Sequence, residues 1–225
     1  MDPLQTAHVS SATAIDPFYL YMHLVQELGE GRVFLLDAAR EAADSEYRMS
    51  LLGVVPVLEI QVKDGEMTVF SVTGLGSAVN RELAGRGYRS VAPVHTVDAV
   101  SAIVGERWTY RPADPMLPLE EIRQLLKGRS RLYRPPFASG LFGYIGYDAV
   151  HYLEQIPATT EDDRLLPDVR LQWFAGVAQL TDTQAHMYFA TDILESLVSV
   201  RRLTRLRVNY SRLLLPPTRS VSILG

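Results

Sequence analysis

The sequence predicts an α+β fold: antiparallel sheets built from hairpins, with helices set between them in a two-layer or sandwich-like arrangement. Three observations carry that expectation. Alternating in-out segments arrive in adjacent pairs, as residues 57–63 and 66–72 do around Asp64-Gly65. Segments with helical spacing fall between groups of strands rather than alternating with single strands. The chain also has 225 residues, of which 47% are apolar, enough to bury a core without staples.

Residues 1–15 are small and polar and read as a frayed, flexible terminus. Asp16-Pro17 then opens a helix, with Asp at the N-cap and Pro in the first turn. Phe18, Tyr21, Met22, Val25 and Leu28 recur at helical spacing, and Gly29 or Gly31 stops the run. Residues 32–36 form a short apolar run suited to a buried strand, residues 41–46 a charged loop, and residues 48–53 a second strand. In the next hairpin, Asp64-Gly65 suits a type I′ turn, whose two central residues both need positive φ.

Residues 77–84, ended by Gly85, and residues 96–103 read as short helices. Residues 114–127 read as a longer one: Pro118 lies near its start, Leu119, Ile122, Leu125 and Leu126 share a stripe, and Gly128 follows. Residues 129–136 are a basic, proline-containing loop. Residues 140–147 are a strand rich in glycine and aromatics, residues 148–156 a helix ended by Pro157, and residues 158–164 an acidic loop. Residues 169–181 and 184–191 read as two long strands joined through Asp182-Thr183. A last helix is expected from about 192 to about 208. Its acids Asp192 and Glu195 come early and Arg201, Arg202 and Arg205 late, which complements the helix dipole. The expected organisation is a domain over 16–210 and a linker-like tail over 211–225, marked by Leu213-Leu214-Leu215-Pro216-Pro217.

Composition narrows the function classes. No cysteine is present, so a disulfide framework, a thiolate-held metal and a thiol nucleophile are excluded. The net charge of −4 argues against a nucleic-acid-binding surface over the whole chain. No apolar run approaches the ~20 residues of a membrane-spanning helix, and residues 1–14 lack a basic region followed by an apolar stretch. The expectation is a cytoplasmic protein with no membrane and no nucleic-acid partner.

Among motifs, Gly143-Tyr144-Ile145-Gly146-Tyr147-Asp148 is the most informative. Its glycines allow another backbone or a ligand to approach closely, and its tyrosines offer apolar bodies with hydroxyl tips. The plain alternative is a glycine-bent strand packed on a neighbour. The spacing is that of neither a P-loop nor a dinucleotide fingerprint. His8, His23, His95, His151 and His186 include no i, i+4 pair, so no metal site is expected. No Ser sits in a G-x-S-x-G elbow. Glu161-Asp162-Asp163 reads as a solvated surface. The late arginines, Arg201 to Arg219, read as a solvated or docked basic face.

Several of these segments, in order, resemble one family. Asp16-Pro17 at a helix start, Phe34-Leu35-Leu36-Asp37-Ala38, Arg48-Met49-Ser50-Leu51-Leu52-Gly53 and Pro56 before a strand resemble the beginning of anthranilate synthase component I. Phe137-Ala138-Ser139-Gly140-Leu141-Phe142-Gly143-Tyr144-Ile145-Gly146-Tyr147-Asp148 resembles that family's F-x-G-G-x-x-G-Y-x-x-Y-D segment, with Ser139 in place of the first glycine. Leu166-Pro167-Asp168 before a long strand also fits. The resemblance runs over roughly residues 16–210, and its strength lies in the collinear order of the segments.

The resemblance implies the α+β N-terminal part of such a protein, which helps form a regulatory tryptophan site. The family's catalytic acid/base residues and magnesium-binding carboxylates lie in a chorismate-binding domain marked by P-x-A-G-T and E-x-D-x-x-G-x-x-G. Neither pattern occurs in these residues. No catalytic residue and no cofactor is therefore expected here, Mg²⁺ being expected only together with a chorismate-binding domain. The implied partners are a separate chorismate-binding catalytic domain and a glutamine amidotransferase subunit, with self-association as a further expectation. The implied activity is conversion of chorismate to anthranilate. The alternatives are an aminodeoxychorismate synthase-like N-terminal part and a non-catalytic module binding a small ligand or a partner.

The resemblance also implies that Leu36, Asp37, Ala38, Arg48 and Ser50 line a degenerate tryptophan-type pocket. The family's L-L-E-S reads Leu35-Leu36-Asp37-Ala38 here. Asp37 keeps a carboxylate on a shorter stem and Ala38 donates no hydroxyl hydrogen bond, a loss of about 1–3 kcal/mol for a group buried against it.

Overall fold

In the computed structural model, Asp64 and Gly65 take φ of 51° and 75°, the paired positive values of a type I′ turn, and they close a hairpin. The model describes residues 6–12, 14–37, 49–72, 74–91, 94–97, 103–129, 140–154, 156–157, 162 and 165–190. The chain divides into two compact units. The first comprises residues 1–55, 130–139 and 174–225, the second residues 56–129 and 140–173. Strands β3 (Met49–Lys63) and β8 (Val169–Thr181) contribute to both.

In the first unit, α1 (Pro17–Leu28) starts where Asp16 accepts a hydrogen bond from the Tyr19 amide at 2.7 Å and ends at Gly29. Leu20, Leu24 and Leu28 recur every fourth residue and are buried, and α1 packs against β2 (Val33–Asp37). Strand β2 pairs antiparallel with the early part of β3, Val33 opposite Val54 and Asp37 opposite Ser50. β9 (Ala185–Ala190) lies between β8 and β1 (Thr6–Ser11), antiparallel to each. Phe174 lies against Gly53, so close that a Cβ at 53 would come within 2.4 Å of its ring.

Two expectations are corrected in this unit. Residues 6–11, read as part of a frayed terminus, form β1. Main-chain pairing to β9 along all six positions outweighs a small, polar composition that offers no burial signal. The break expected between residues 53 and 57 is absent. β3 runs on through Val55, which takes φ of 58° just before Pro56. Left-handed backbone at a β-branched residue is unfavourable by about 1–2 kcal/mol, and the Val55 amide still donates to the Arg32 carbonyl at 2.8 Å.

In the second unit the strand order is β3, β4 (Glu66–Ser71), β6 (Val104–Tyr110), β5 (Val94–Val97), every pair antiparallel. The early residues of β8 pair with β7 (Phe142–Ile145). Helices α2 (Leu75–Gly85) and α3 (Met116–Arg129) pack on each other, and α2 covers β4 and β6. The core holds Leu58, Ile60 and Val62 of β3, Met67 and Val69 of β4, and Leu83 and Ile122 of the helices.

The helix expected over 96–103 is corrected: Val94–Val97 is a strand, held by β6 with Thr96 opposite Gly105. Residues 148–156 form a shorter 3-10 helix, Tyr147–Tyr152. The expected features over 41–46, 130–136, 192–208 and 211–225 lie outside the described residues.

Glu59 departs from the alternation of β3, since its charged side chain is completely buried. One of its oxygens accepts from Arg170 Nε at 2.9 Å and Gln61 Nε2 at 2.5 Å, the other from Arg170 Nη2 at 3.0 Å and Gln172 Nε2 at 2.6 Å. A forked guanidinium and two amides thus satisfy the carboxylate. Arg170→Met strands that charge and is expected to lower the unfolding free energy by about 3–5 kcal/mol in urea titrations. The double variant Glu59→Met/Arg170→Met is expected to lose much less.

Candidate functional site

Of the residues that the resemblance assigns to a pocket, Asp37 and Ser50 meet across the β2–β3 pair. Register places Asp37 opposite Ser50. Buried Ser50 donates its hydroxyl to Asp37 Oδ1 at 2.5 Å, while Asp37 and Leu36 are exposed at the end of β2. Ala38 and Arg48 lie outside the described residues. The described part is an oriented carboxylate beside an exposed leucine. An ionised carboxylate there acts as a hydrogen-bond acceptor.

The glycine and tyrosine motif lies in the second unit and takes its shape from β8. Gly143 sits opposite Leu171 with φ of 152°, and a Cβ there would come within 1.9 Å of the Arg170 carbonyl oxygen. Only glycine fits. The Gly146 amide donates to the Asp168 carbonyl at 2.7 Å, which turns the chain into the 3-10 helix. Tyr147 is then 92% exposed, and Asp148 is exposed in the first turn.

Asp168 gathers the surrounding chain. Its backbone amide donates to the Val62 carbonyl at 2.7 Å. Its Oδ2 accepts from Tyr152 Oη at 2.5 Å and from the Asp64 amide at 3.3 Å, and its Oδ1 accepts from Lys63 Nζ at 3.1 Å. Tyr152 Oη in turn accepts from the Gly65 amide at 3.1 Å. Lys63 also pairs with Asp162, whose other oxygen accepts from the Leu165 amide at 3.0 Å. The hydrogen bond to Asp162 raises the Lys63 pKa above the ordinary lysine range, burial opposes the rise and Asp168 adds to it. Burial first, then the hydrogen bond to Asp168, pushes Tyr152 up to about 12. An ammonium held this firmly is no base at neutral pH, and the cluster clamps the hairpin turn to the 3-10 helix.

Sequence reasoning missed two buried carboxylates, Glu59 and Glu106. Glu106 of β6 accepts from Ser77 Oγ at 3.1 Å and Trp108 Nε1 at 3.3 Å, beside the first turn of α2, where the helix dipole favours negative charge. The available signal was a lone acid inside an otherwise strand-like run. Among the described residues, no three His, Asp or Glu side chains group as a metal site would need. His151 Nδ1 lies 2.9 Å from the Ile156 carbonyl, and the His186 ring stacks on Tyr188.

Tyr152 and Lys63, together with Tyr110, whose burial also raises its pKa, shape the alkaline behaviour. Tyr152 and Lys63 hold their protons more tightly when folded than at their ordinary values of 10.0 and 10.5. Their contribution is complete below those values and is lost as pH rises above about 10. The urea midpoint is expected to fall above about pH 10, and Tyr152→Phe is expected to flatten that fall while lowering the neutral-pH plateau by about 1 kcal/mol.

The chain is similar to anthranilate synthase component 1 of Cereibacter sphaeroides, 28% identical over 161 residues, which cover 70% of this chain and 26% of that protein. It is 36% identical over 109 residues to anthranilate synthase component 1 of Thermus thermophilus, covering 48% of this chain and 20% of the relative. It is 41% identical over 65 residues to anthranilate synthase component 1 of Mycolicibacterium smegmatis, covering 29% and 12%. The matches thus span about a quarter or less of these relatives. No protein-family model matches the chain. The resemblance read from the ordered motifs is borne out.

Proposed function

We propose that this chain is the amino-terminal, non-catalytic part of an anthranilate synthase component I-like protein, serving the conversion of chorismate to anthranilate in tryptophan biosynthesis. The observation that carries the reading is the similarity to component 1 proteins over up to 70% of the chain, together with the structural use of three of the motif residues. Gly143, Gly146 and Asp168 are engaged in backbone shape and turn anchoring. The chorismate chemistry, with its Mg²⁺, then belongs to a chorismate-binding part, and ammonia comes from a glutamine amidotransferase subunit. Leu36, Asp37, Ala38, Arg48 and Ser50 are the remnant of a tryptophan-type pocket, in which Ala38 removes one hydrogen bond.

An apolar surface supports the partner-dependent part of the proposal. Tyr144 and Ile145 of β7, Tyr147, Leu153 and Ile156 around the 3-10 helix, and Leu165 and Leu166 before β8 are all exposed, Leu165 by 77%. Tyr144 lies opposite Arg170 and Ile145 opposite Val169, while Gly146 is tied to Asp168, so β7, the 3-10 helix and the approach to β8 adjoin. Large apolar side chains exposed on adjoining elements are the kind of surface an interaction site uses. We assign it to the chorismate-binding part.

Two measurements test this. Mixed with chorismate, Mg²⁺ and ammonium, the purified chain is expected to give no anthranilate fluorescence. Turnover by the chain alone would overturn the assignment. In size-exclusion chromatography with light scattering, the chain alone is expected to run larger than a monomer, and Tyr147→Ser/Leu165→Ser is expected to return it to one. A clean wild-type monomer would count against the docking surface.

A further inference from the structure

The second unit carries a cleft of about 440 Å³ that no motif accounts for. Its walls are the segment after α2, with Tyr88 and Arg89, the end of β6 at Tyr110, and the connection into α3, from Arg111 to Leu117. The volume lies in the range of sites for small organic ligands.

The back of the cleft is fixed. Tyr110 is 1% exposed and donates its hydroxyl to Asn80 Oδ1 at 3.0 Å, and Ser90 Oγ donates to the same oxygen at 2.7 Å. The Val91 amide donates to the Thr109 carbonyl at 2.9 Å, which holds the segment bearing Tyr88 and Arg89 along β6. The Asp114 carboxylate is partly committed, since its Oδ1 accepts from the Met116 amide at 2.8 Å at the start of α3.

The polar groups left over are mainly donors. Arg89 is exposed and, like the half-buried Tyr88 hydroxyl, has no hydrogen-bond or ionic partner among the described residues. Arg111 gives Nε to Glu66 at 2.9 Å, and that pair lies at the surface, where its attraction is weak. The apolar lining is Tyr88, Tyr110, Pro112 and Leu117, and Leu117 stays exposed at the first turn of its helix. Guanidinium and phenol donors beside an apolar wall match a carboxylate on an apolar or aromatic body.

We propose that this cleft binds a small organic carboxylate, whose charged end meets Arg89 and Tyr88 and whose apolar body lies on Pro112 and Leu117. The site stands on the second unit's own geometry and does not rest on the reading of the chain as part of an anthranilate synthase.

The test uses the full chain and benzoate as the probe, with benzyl alcohol as an uncharged analogue and acetate as a charge without a ring. Saturation-transfer NMR is expected to show benzoate bound and both analogues bound more weakly. Arg89→Gln is expected to weaken benzoate by about tenfold. Leu117→Glu, a change compatible with the first turn of a helix, is expected to abolish the signal, and Arg81→Gln, an exposed substitution outside the lining, to leave it unchanged. No benzoate signal, equal signals from benzoate and benzyl alcohol, or full binding by Arg89→Gln would each overturn the proposal.

Discussion

The carboxylate of Asp168 is the constraint on which the second unit's arrangement depends. It stands at the entry to β8 and accepts hydrogen bonds from an amide of the β3–β4 turn, from Lys63 and from Tyr152. Its main chain joins the same junction, donating to Val62 and accepting from Gly146. Three stretches far apart in sequence thereby meet at one largely buried side chain. A carboxylate removed from water needs its acceptor sites filled, and these donors fill them.

This arrangement gives three of the most distinctive residues in the chain a structural role. Gly143 lets β7 come against the Arg170 carbonyl, Gly146 turns the chain, and Asp168 anchors it. Tyr147, Leu165 and Leu166 stay exposed to solvent beside it, while Lys63, Tyr152, Asp162 and Asp168 are engaged with one another. A surface of this composition is suited to being covered, and the similarity to component 1 proteins of about four times the matched length gives that surface a purpose under the proposed function.

Much of this was legible in the sequence wherever a local rule decided the outcome. Asp16-Pro17 and Asp114 marked helix starts because their carboxylates cap amides three or two residues on. Asp64-Gly65 marked the hairpin because its backbone needs positive φ twice. Elements set by distant partners escaped. Strand β1 exists through pairing with β9, and β5 and β6 were obscured because Gly105 and the buried Glu106 interrupt the expected alternation. Glu59 looked like an outward residue because Arg170, its neutralising partner, lies 111 positions away. The Asp37–Ser50 hydrogen bond joins two of the residues named from the family resemblance, and no periodicity pointed to it.

Amide hydrogen exchange on Asp168→Ala compared with the unsubstituted chain is the most direct measurement of whether this one carboxylate organises the motif region. The account predicts a coordinated loss of protection at Asp64 and Gly65, whose amides meet Asp168 and Tyr152 Oη, with the β1–β9 pairing unchanged. Unaltered protection at those two amides, or an even loss throughout the chain, would contradict it.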